Sequence, residues 1–137
     1  MSVFTQAEIE YLKSQRLGRL ATVSEAGDPH VVPCRFRYNE ELDVLEVGGK
    51  NMGKSKKFRD ATGNSRVAFV VDDAPEPGRP RGIEVRGSAE VVLSGGEQIM
   101  PGWDPEFLRI TPTHVAAWGV DGDPFRPLGR KAERADT

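Results

Sequence analysis

The sequence predicts a small, mostly β protein, a six-stranded antiparallel barrel with short helices. Six segments have the apolar content of strands, and turn-forming residues or short breaks separate most of them. Only two longer segments, near residues 5–15 and 54–62, have helical character, whereas a parallel sheet needs a helical crossover between most strands. A chain of 137 residues has room for one modest core, so a cleft must lie within one barrel or between subunits.

The first helix has the clearest start signal. Thr5 and Glu8 have the spacing of a capping box, in which each side chain binds the other residue's backbone N–H, and we expect this helix to end near Gln15. Gly87 and Pro112 each mark a bend, a bulge or an edge within a strand. The six strands are predicted at residues 17–23, 30–38, 42–49, 66–71, 83–93 and 107–120.

Two stretches are predicted to lack regular structure. Residues 72–82 contain three prolines and two glycines, which predicts a stiff loop, and we expect its acidic pair, Asp72 and Asp73, to keep this loop soluble. The composition becomes polar near the end of the chain. We therefore divide the chain into a barrel domain at 1–120 and a loosely ordered tail at 121–137.

Several functional classes find no support in the sequence. No apolar run is long enough to span a membrane and no signal peptide is evident, so we expect a soluble, cytoplasmic protein. The net charge of −2 argues against a general nucleic-acid binder. The single cysteine, Cys34, fits a reducing compartment and is expected to be a small apolar filler. Because His30 and His114 lack Cys or His neighbours, we expect no metal site.

The most informative segment is cationic and lies in the middle of the chain. Between residues 50 and 59 there are five cations and no acid: Lys50, Lys54, Lys56, Lys57 and Arg59. Together with Gly49, Gly53 and Ser55, they offer ammonium groups, a hydroxyl and close backbone approach near a helix start, as phosphate binding requires. The residues alone fit a solvated helix face equally well, so both interpretations stay open at this point.

Four short blocks of the sequence stand in a characteristic order. They are RLATV with GDPHVVP (19–23, 27–33), SKKFR with NSRVA (55–59, 64–68), IEVRGSA (83–89) and ITPTHVAAWG (110–119). In order and spacing they resemble the pyridoxamine-phosphate-oxidase-like family, and the last block is similar to actinobacterial members described as F420-dependent enzymes. The resemblance implies a split β-barrel of the FMN-binding type. It also implies a homodimer with a flavin or deazaflavin ring at the subunit interface.

The resemblance further implies which residues meet the cofactor. The phosphate would be held by Lys57, with Ser55, Lys54 and Lys50 nearby, and the ring would be bordered by Val32, Pro33, Gly48 and Gly49. Arg35 is expected either to reach the acidic tail of the cofactor or to face solvent. Trp118 is expected either to complete the site from the second subunit or to pack in the core or interface.

The function implied is an F420-dependent oxidoreductase that transfers a hydride between reduced deazaflavin and an unsaturated small molecule. Such chemistry belongs to the cofactor and assigns no catalytic side chain, so the protein's part is to orient the reactants and exclude water. Three alternatives remain: FMN as the cofactor, a noncatalytic protein that binds flavin, deazaflavin or haem, and a dimeric scaffold without ligand. In the haem alternative, His30 or His114 would be the iron ligand.

Overall fold

The structure, a computed structural model, describes residues 2–132. Its strands are β1 (Leu17–Val23), β2 (Pro29–Asn39), β3 (Val44–Gly48), β4 (Arg66–Asp73), β5 (Arg81–Val92), β6 (Phe107–Trp118) and β7 (Leu128–Lys131). The helices are α1 (Gln6–Ser14), α2 (Lys56–Gly63) and α3 (Gly96–Ile99), with a 3-10 turn at Met52–Lys54. The antiparallel sheet has the order β3-β2-β1-β4-β5-β6-β7, and a further pairing of β3 with β6 closes its first six strands. The predicted six-stranded antiparallel barrel is therefore confirmed.

Strand β6 pairs with two strands besides β5. Leu108–Ile110 pair with β3, whereas the stretch 114–117 pairs with β7. The register between β5 and β6 shifts at Gly87, which lies opposite Pro112. A Cβ atom on Gly87 would lie 2.1 Å from the carbonyl oxygen of Thr111, so only glycine fits there. The bend predicted at these two residues is confirmed.

The barrel interior is filled by alternate, inward-facing residues of the strands. The fully buried side chains include Leu20, Leu45, Phe69, Ile83, Val85, Leu108 and Ile110. At the end of the barrel where β1 begins, α1 buries Leu12 and Tyr11. At the end of the barrel where β1 finishes, α2 buries Phe58 and Ala61. Within residues 2–132, no helix combines the length and the apolar character that crossing a membrane requires.

A buried carboxylate anchors α2 to β1. Asp60 accepts hydrogen bonds from Thr22 at 3.0 Å and from Lys56 at 3.1 Å. Burial alone would raise the pKa of Asp60, but these hydrogen bonds outweigh it and hold the pKa below its ordinary value. The ionised carboxylate therefore fixes the helix that carries the second half of the cationic segment.

The proline-rich loop is shorter than predicted and comprises only residues 74–80 between the two strands. The register pairs Asp73 with Arg81, so the β4–β5 ladder continues to that point. Arg81 donates two hydrogen bonds to Asp73, at 2.7 and 3.0 Å, and Arg19 donates one to Asp72 at 2.9 Å. The prediction that the acidic pair only keeps a loop soluble was wrong, because each carboxylate neutralises an arginine of a strand.

The segment that follows the barrel is more ordered than we expected for a loose tail. It forms β7 at the edge of β6, and Arg130 donates hydrogen bonds to both carboxylate oxygens of Glu8, at 2.6 and 3.1 Å. Arg130 also donates to the carbonyl oxygen of Val3 at 2.8 Å. Glu8 is only 4% exposed, so this ion pair ties the tail to α1. Residues 133–137 of the predicted tail lie outside the described residues.

Replacing Arg130 with Met should lower the free energy of unfolding by about 1–3 kcal/mol, because the buried Glu8 carboxylate loses its charged partner. Urea denaturation followed by circular dichroism measures this loss. Lys13→Met is the matched control, since the partner of Lys13, Glu40, is 61% exposed. Such a surface pair contributes about 0–1 kcal/mol. Equal losses in the two variants would contradict the role given to Arg130.

The single cysteine faces the barrel interior. Cys34 is 7% exposed, and burial raises the pKa of its thiol to about 12, although the charge of Lys57 acts in the opposite direction. The thiol is therefore protonated at neutral pH and has little nucleophilic character.

We expect the Cys34 thiol to react very slowly with Ellman's reagent at about pH 8 in the native protein and fully after unfolding in urea. The control is Phe125→Cys in a Cys34→Ser background, because Phe125 is 71% exposed. That engineered thiol should react at once in the folded protein. Rapid reaction of native Cys34 would show that the thiol is accessible and ionised.

Candidate functional site

The cationic segment connects β3 to α2 and is held against the loop that precedes β6. The backbone N–H of Asn51 donates to the carboxylate of Asp104 at 2.6 Å, and the N–H of Asp104 donates to the carbonyl oxygen of Gly49 at 2.9 Å. Asn51 itself adopts a left-handed conformation, with φ of 57°. Asparagine tolerates this conformation better than most residues, so the local sequence suits the sharp turn into the segment.

Ser55 is the N-cap of α2. Its hydroxyl accepts a hydrogen bond from the backbone N–H of Phe58 at 3.3 Å and donates one to the carbonyl oxygen of Met52 at 2.7 Å. Its one proton is therefore already committed within the chain. Ser55 shapes the segment, and a phosphate would have to compete for its proton.

The lysines of the segment are divided into paired and unpaired groups. Lys56 forms an ion pair with Asp60 at 3.1 Å. In the part of the chain that the structure describes, Lys50, Lys54 and Lys57 have no carboxylate within ion-pair distance. Three of the four lysines are thus available to an anionic group.

The unpaired lysines have different surroundings. Lys57 is half-buried, and its charge acts on the thiol of Cys34, which places it beside β2. Lys54 lines a cavity that also contains Asp104 and Glu106, so its surroundings are mixed in charge. Lys57 therefore has the environment better suited to a phosphate that lies against the barrel.

The residues predicted to border a ring differ in accessibility. Pro33 is exposed and Val32 is half-buried on β2. A Cβ atom on Gly49 would meet nothing within 4 Å, but one on Gly48 would lie 2.3 Å from the indole ring of Trp103. Gly48 is therefore covered by this tryptophan, whereas Gly49 and Pro33 are open. Trp103 was not predicted to lie here, because no local pattern in the sequence pairs it with Gly48.

Arg35 lies in a cationic groove between α1 and β2. The groove has a volume of about 270 Å³, and its lining includes Lys13, Arg16 and Arg37. Of these four cations, only Lys13 has an acidic partner among the described residues, namely Glu40. The groove therefore favours an anionic ligand or tail.

Trp118 is not brought to the cationic segment within one subunit. It lies at the end of β6 and covers Gly82, where a Cβ atom would be 2.4 Å from the indole. It also lines a cavity of about 200 Å³ with Arg126 and Arg130. In the sheet, β1, β4 and β5 lie between β2 and this part of β6.

The outer face of the sheet carries an apolar patch, which we define as Val31, Pro33, Ala21, Ala68 and Val70. Ala21 pairs with Val31 on one side and with Ala68 on the other, so the patch runs across β2, β1 and β4. Val31 is 66% exposed and Pro33 is also exposed. Arg19 lies between Pro33 and Val70 on the same face, and its guanidinium is paired with Asp72. Apolar surface beside a neutralised charge of this kind can serve as an interaction site.

A second feature of this face was missed by the sequence analysis. A cavity of about 460 Å³ lies over β4, β5 and β6, and its lining includes Arg66, Arg86 and His114. The predicted bend at Gly87 and Pro112 was the available signal, since β-bulges often re-aim side chains beside functional sites. The grouping of these cations depends on strand register and was not visible in the sequence.

The sequence matches the family described as pyridoxamine 5'-phosphate oxidase over residues 4–119. It is also 45% identical over 122 residues to the 5a,11a-dehydrotetracycline/5a,11a-dehydrooxytetracycline reductase of Streptomyces rimosus. That alignment covers 88% of this chain and 86% of the reductase.

Two solved structures share the fold. A conserved hypothetical protein from Mycobacterium tuberculosis superposes with a TM-score of 0.68 at 21% identity, covering 86% of each chain. An FAD-binding protein from Mycobacterium smegmatis superposes with a TM-score of 0.65 at 22% identity, covering 85% of this chain and 96% of the other. The family match spans most of the chain and the reductase is a close relative, so this chain belongs to the pyridoxamine 5'-phosphate oxidase family.

Proposed function

We propose that this chain is an F420-dependent reductase that works as a homodimer on an unsaturated small molecule. The observation that carries the proposal is the 45% identity to a reductase over 88% of the chain. Membership of the family supports a flavin-type cofactor, and an oxidoreductase of this class is the coarser conclusion. We expect it to act in the cytoplasm, with which its one unpaired cysteine is compatible.

The donor set of the cationic segment fits the phosphate of such a cofactor. Lys50, Lys54 and Lys57 have no acidic partner among the described residues, so an anion would pair with ammonium groups that are not yet neutralised. Gly49 leaves open space where a side chain would stand. In this proposal Lys57 holds the phosphate and Pro33 with Gly49 borders the ring.

The cofactor, when bound, supplies the hydride, and the chain supplies binding and orientation. The lysines neutralise the phosphate in the same way before and during the reaction. They therefore stabilise the ground state and the transition state equally. The apolar surface at Pro33 and Val31 excludes water from the ring. Side-chain acid–base chemistry is not needed for this role.

The homodimer completes the site in this proposal. At the β2 end of the apolar patch Val31 is 66% exposed, and covering this end with a second copy removes that surface from water. Pro33 belongs to the patch and to the ring border, so the subunit contact and the cofactor site adjoin. The partner subunit then provides the second wall of the site, for which Trp118 remains a candidate.

F420 is preferred over FMN because of the groove that contains Arg35. Both cofactors carry a phosphate, but only F420 carries an acidic tail beyond it. Arg16, Arg35 and Arg37 line the groove without acidic partners among the described residues. FMN remains the alternative, and direct titration of the protein with both cofactors tests the choice. Preferential binding of FMN would overturn the F420 assignment.

Lys57→Met should raise the dissociation constant for F420 by about tenfold and leave kcat unchanged at saturating cofactor. The reason is that the phosphate contact is equal in the ground and transition states. Fluorescence polarisation of the deazaflavin measures the affinity. Arg79→Met is the control, because Arg79 is exposed and pairs only with Glu76 in the proline-rich loop. Unchanged affinity in Lys57→Met would refute the phosphate assignment.

Val31→Asp should convert the dimer to a monomer in sedimentation velocity experiments, because the new charges would have to be buried unpaired in the interface. Phe125→Asp is the matched control, since Phe125 is 71% exposed but lies outside the apolar patch. It should remain dimeric. A monomeric wild-type protein, or a dimeric Val31→Asp variant, would show that the patch is not the interface.

A further inference from the structure

The cavity over β4, β5 and β6 has the size of a ligand site. We call it the outer-face pocket and define it by Arg66, Arg86 and His114 above a floor that includes Ala21 and Ala68. Its volume of about 460 Å³ falls within the range of roughly 300–1,000 Å³ typical of small-molecule sites. The small floor residues leave room for a flat group against the sheet.

The lining of the outer-face pocket is cationic. It contains two guanidinium groups and an imidazole but no carboxylate. Neither Arg66 nor Arg86 has an acid within ion-pair distance among residues 2–132. The nearest acid on the outer face of β5, Glu84, lines the neighbouring shallow cavity instead. Two unpaired guanidiniums without a counter-charge favour an anionic ligand.

The bulge orients the side chains of the pocket. Arg86 pairs with His114 and Gly87 with Pro112, so Thr113 is the extra residue of β6. The hydroxyl of Thr113 donates to the carbonyl oxygen of Arg86 at 3.1 Å and lies 3.1 Å from Nδ1 of His114. Thr113 therefore holds the imidazole of His114 beside Arg86.

The pocket is continuous with the apolar patch. The register places Arg86 beside Ala68, and Ala68 beside Ala21, on the same face of the sheet. A ligand that fits both features has a flat apolar body and an acidic edge. An acidic enol within a fused-ring system has this character, because its ionised form spreads negative charge over two coplanar oxygens.

We propose that the outer-face pocket binds the acidic enol oxygens of the substrate, a planar polycyclic compound. This inference rests on the proposed reductase function and names its substrate class. The substrate binds as the enolate, the anion of the acidic enol, and Arg86 and Arg66 hold its two oxygens beside the imidazole of His114. No electrons are transferred in this step.

The test uses oxytetracycline as the probe and measures its equilibrium binding to the purified protein by fluorescence, with and without F420. Arg86→Met should raise the dissociation constant of the probe by about tenfold, and Arg86→Lys by less, because it keeps the charge but loses the planar fork. Arg79→Met removes the same charge far from the pocket and should bind the probe as the wild type does. Circular dichroism confirms that the variants are folded.

The outcomes separate this inference from the proposed function. If Arg86→Met binds the probe as the wild type does, or if the wild type does not bind it, the inference is overturned even when F420 binds and is turned over. If Arg86→Met weakens F420 but not the probe, the pocket serves the acidic tail of the cofactor, which also overturns it. Failure of the wild type to bind F420 refutes the proposed function, while probe binding that depends on Arg86 still supports an acidic-enol site.

Discussion

The pairing of β3 with the first half of β6 closes the sheet into a barrel, and this closure determines where a ligand can bind. β6 can turn from β3 to β7 because its register shifts at Gly87, where the carbonyl oxygen of Thr111 would lie 2.1 Å from a Cβ atom. The closed strands then share one interior, which Leu20, Phe69 and Ile83 help to fill. A six-stranded barrel filled in this way has no space for a ligand inside it. Binding must therefore take place at the ends of the barrel or on its outer face.

The charged side chains of the outer surface fall into two groups, those in ion pairs and those without a partner. Several ion pairs are structural: Glu8 with Arg130, Asp73 with Arg81, and Asp60 with Lys56. They tie the tail, the proline-rich hairpin and α2 to the barrel. Most of the cations that have no acidic partner among the described residues lie in the cationic segment, the groove between α1 and β2, and the outer-face pocket. The net charge is only −2, so this distribution, rather than the total charge, creates local positive potential.

The sequence was sufficient for features that depend on local patterns. The capping box at Thr5, the strand segments and the glycine at the bulge are each determined by neighbours within a few residues, and the structure contains all of them. Features that depend on distant contacts were missed. Arg130 lies 122 positions from Glu8, so no local pattern reveals that the tail is fixed. Likewise, Gly48 was expected to border the cofactor ring, but Trp103 covers it from a loop that follows two further strands. The accessibility of Gly49 and the committed hydroxyl of Ser55 also required the structure.

In the proposed function, the apolar patch lies beside two regions that bind anions, and the homodimer completes both of them. The outer-face pocket reaches the patch through Ala68, and Lys57 of the cationic segment acts on Cys34, the residue that follows Pro33 on β2. A cofactor phosphate and an acidic substrate are both anions, and two anions bound close together repel each other unless cations separate and neutralise them. In this proposal Lys57 holds one ligand and Arg86 the other, and the apolar parts of the two ligands meet between them, beside the subunit contact. Hydride transfer requires such contact between two flat rings in the absence of water. The separation of the cations by an apolar surface is therefore the arrangement that the proposed chemistry needs.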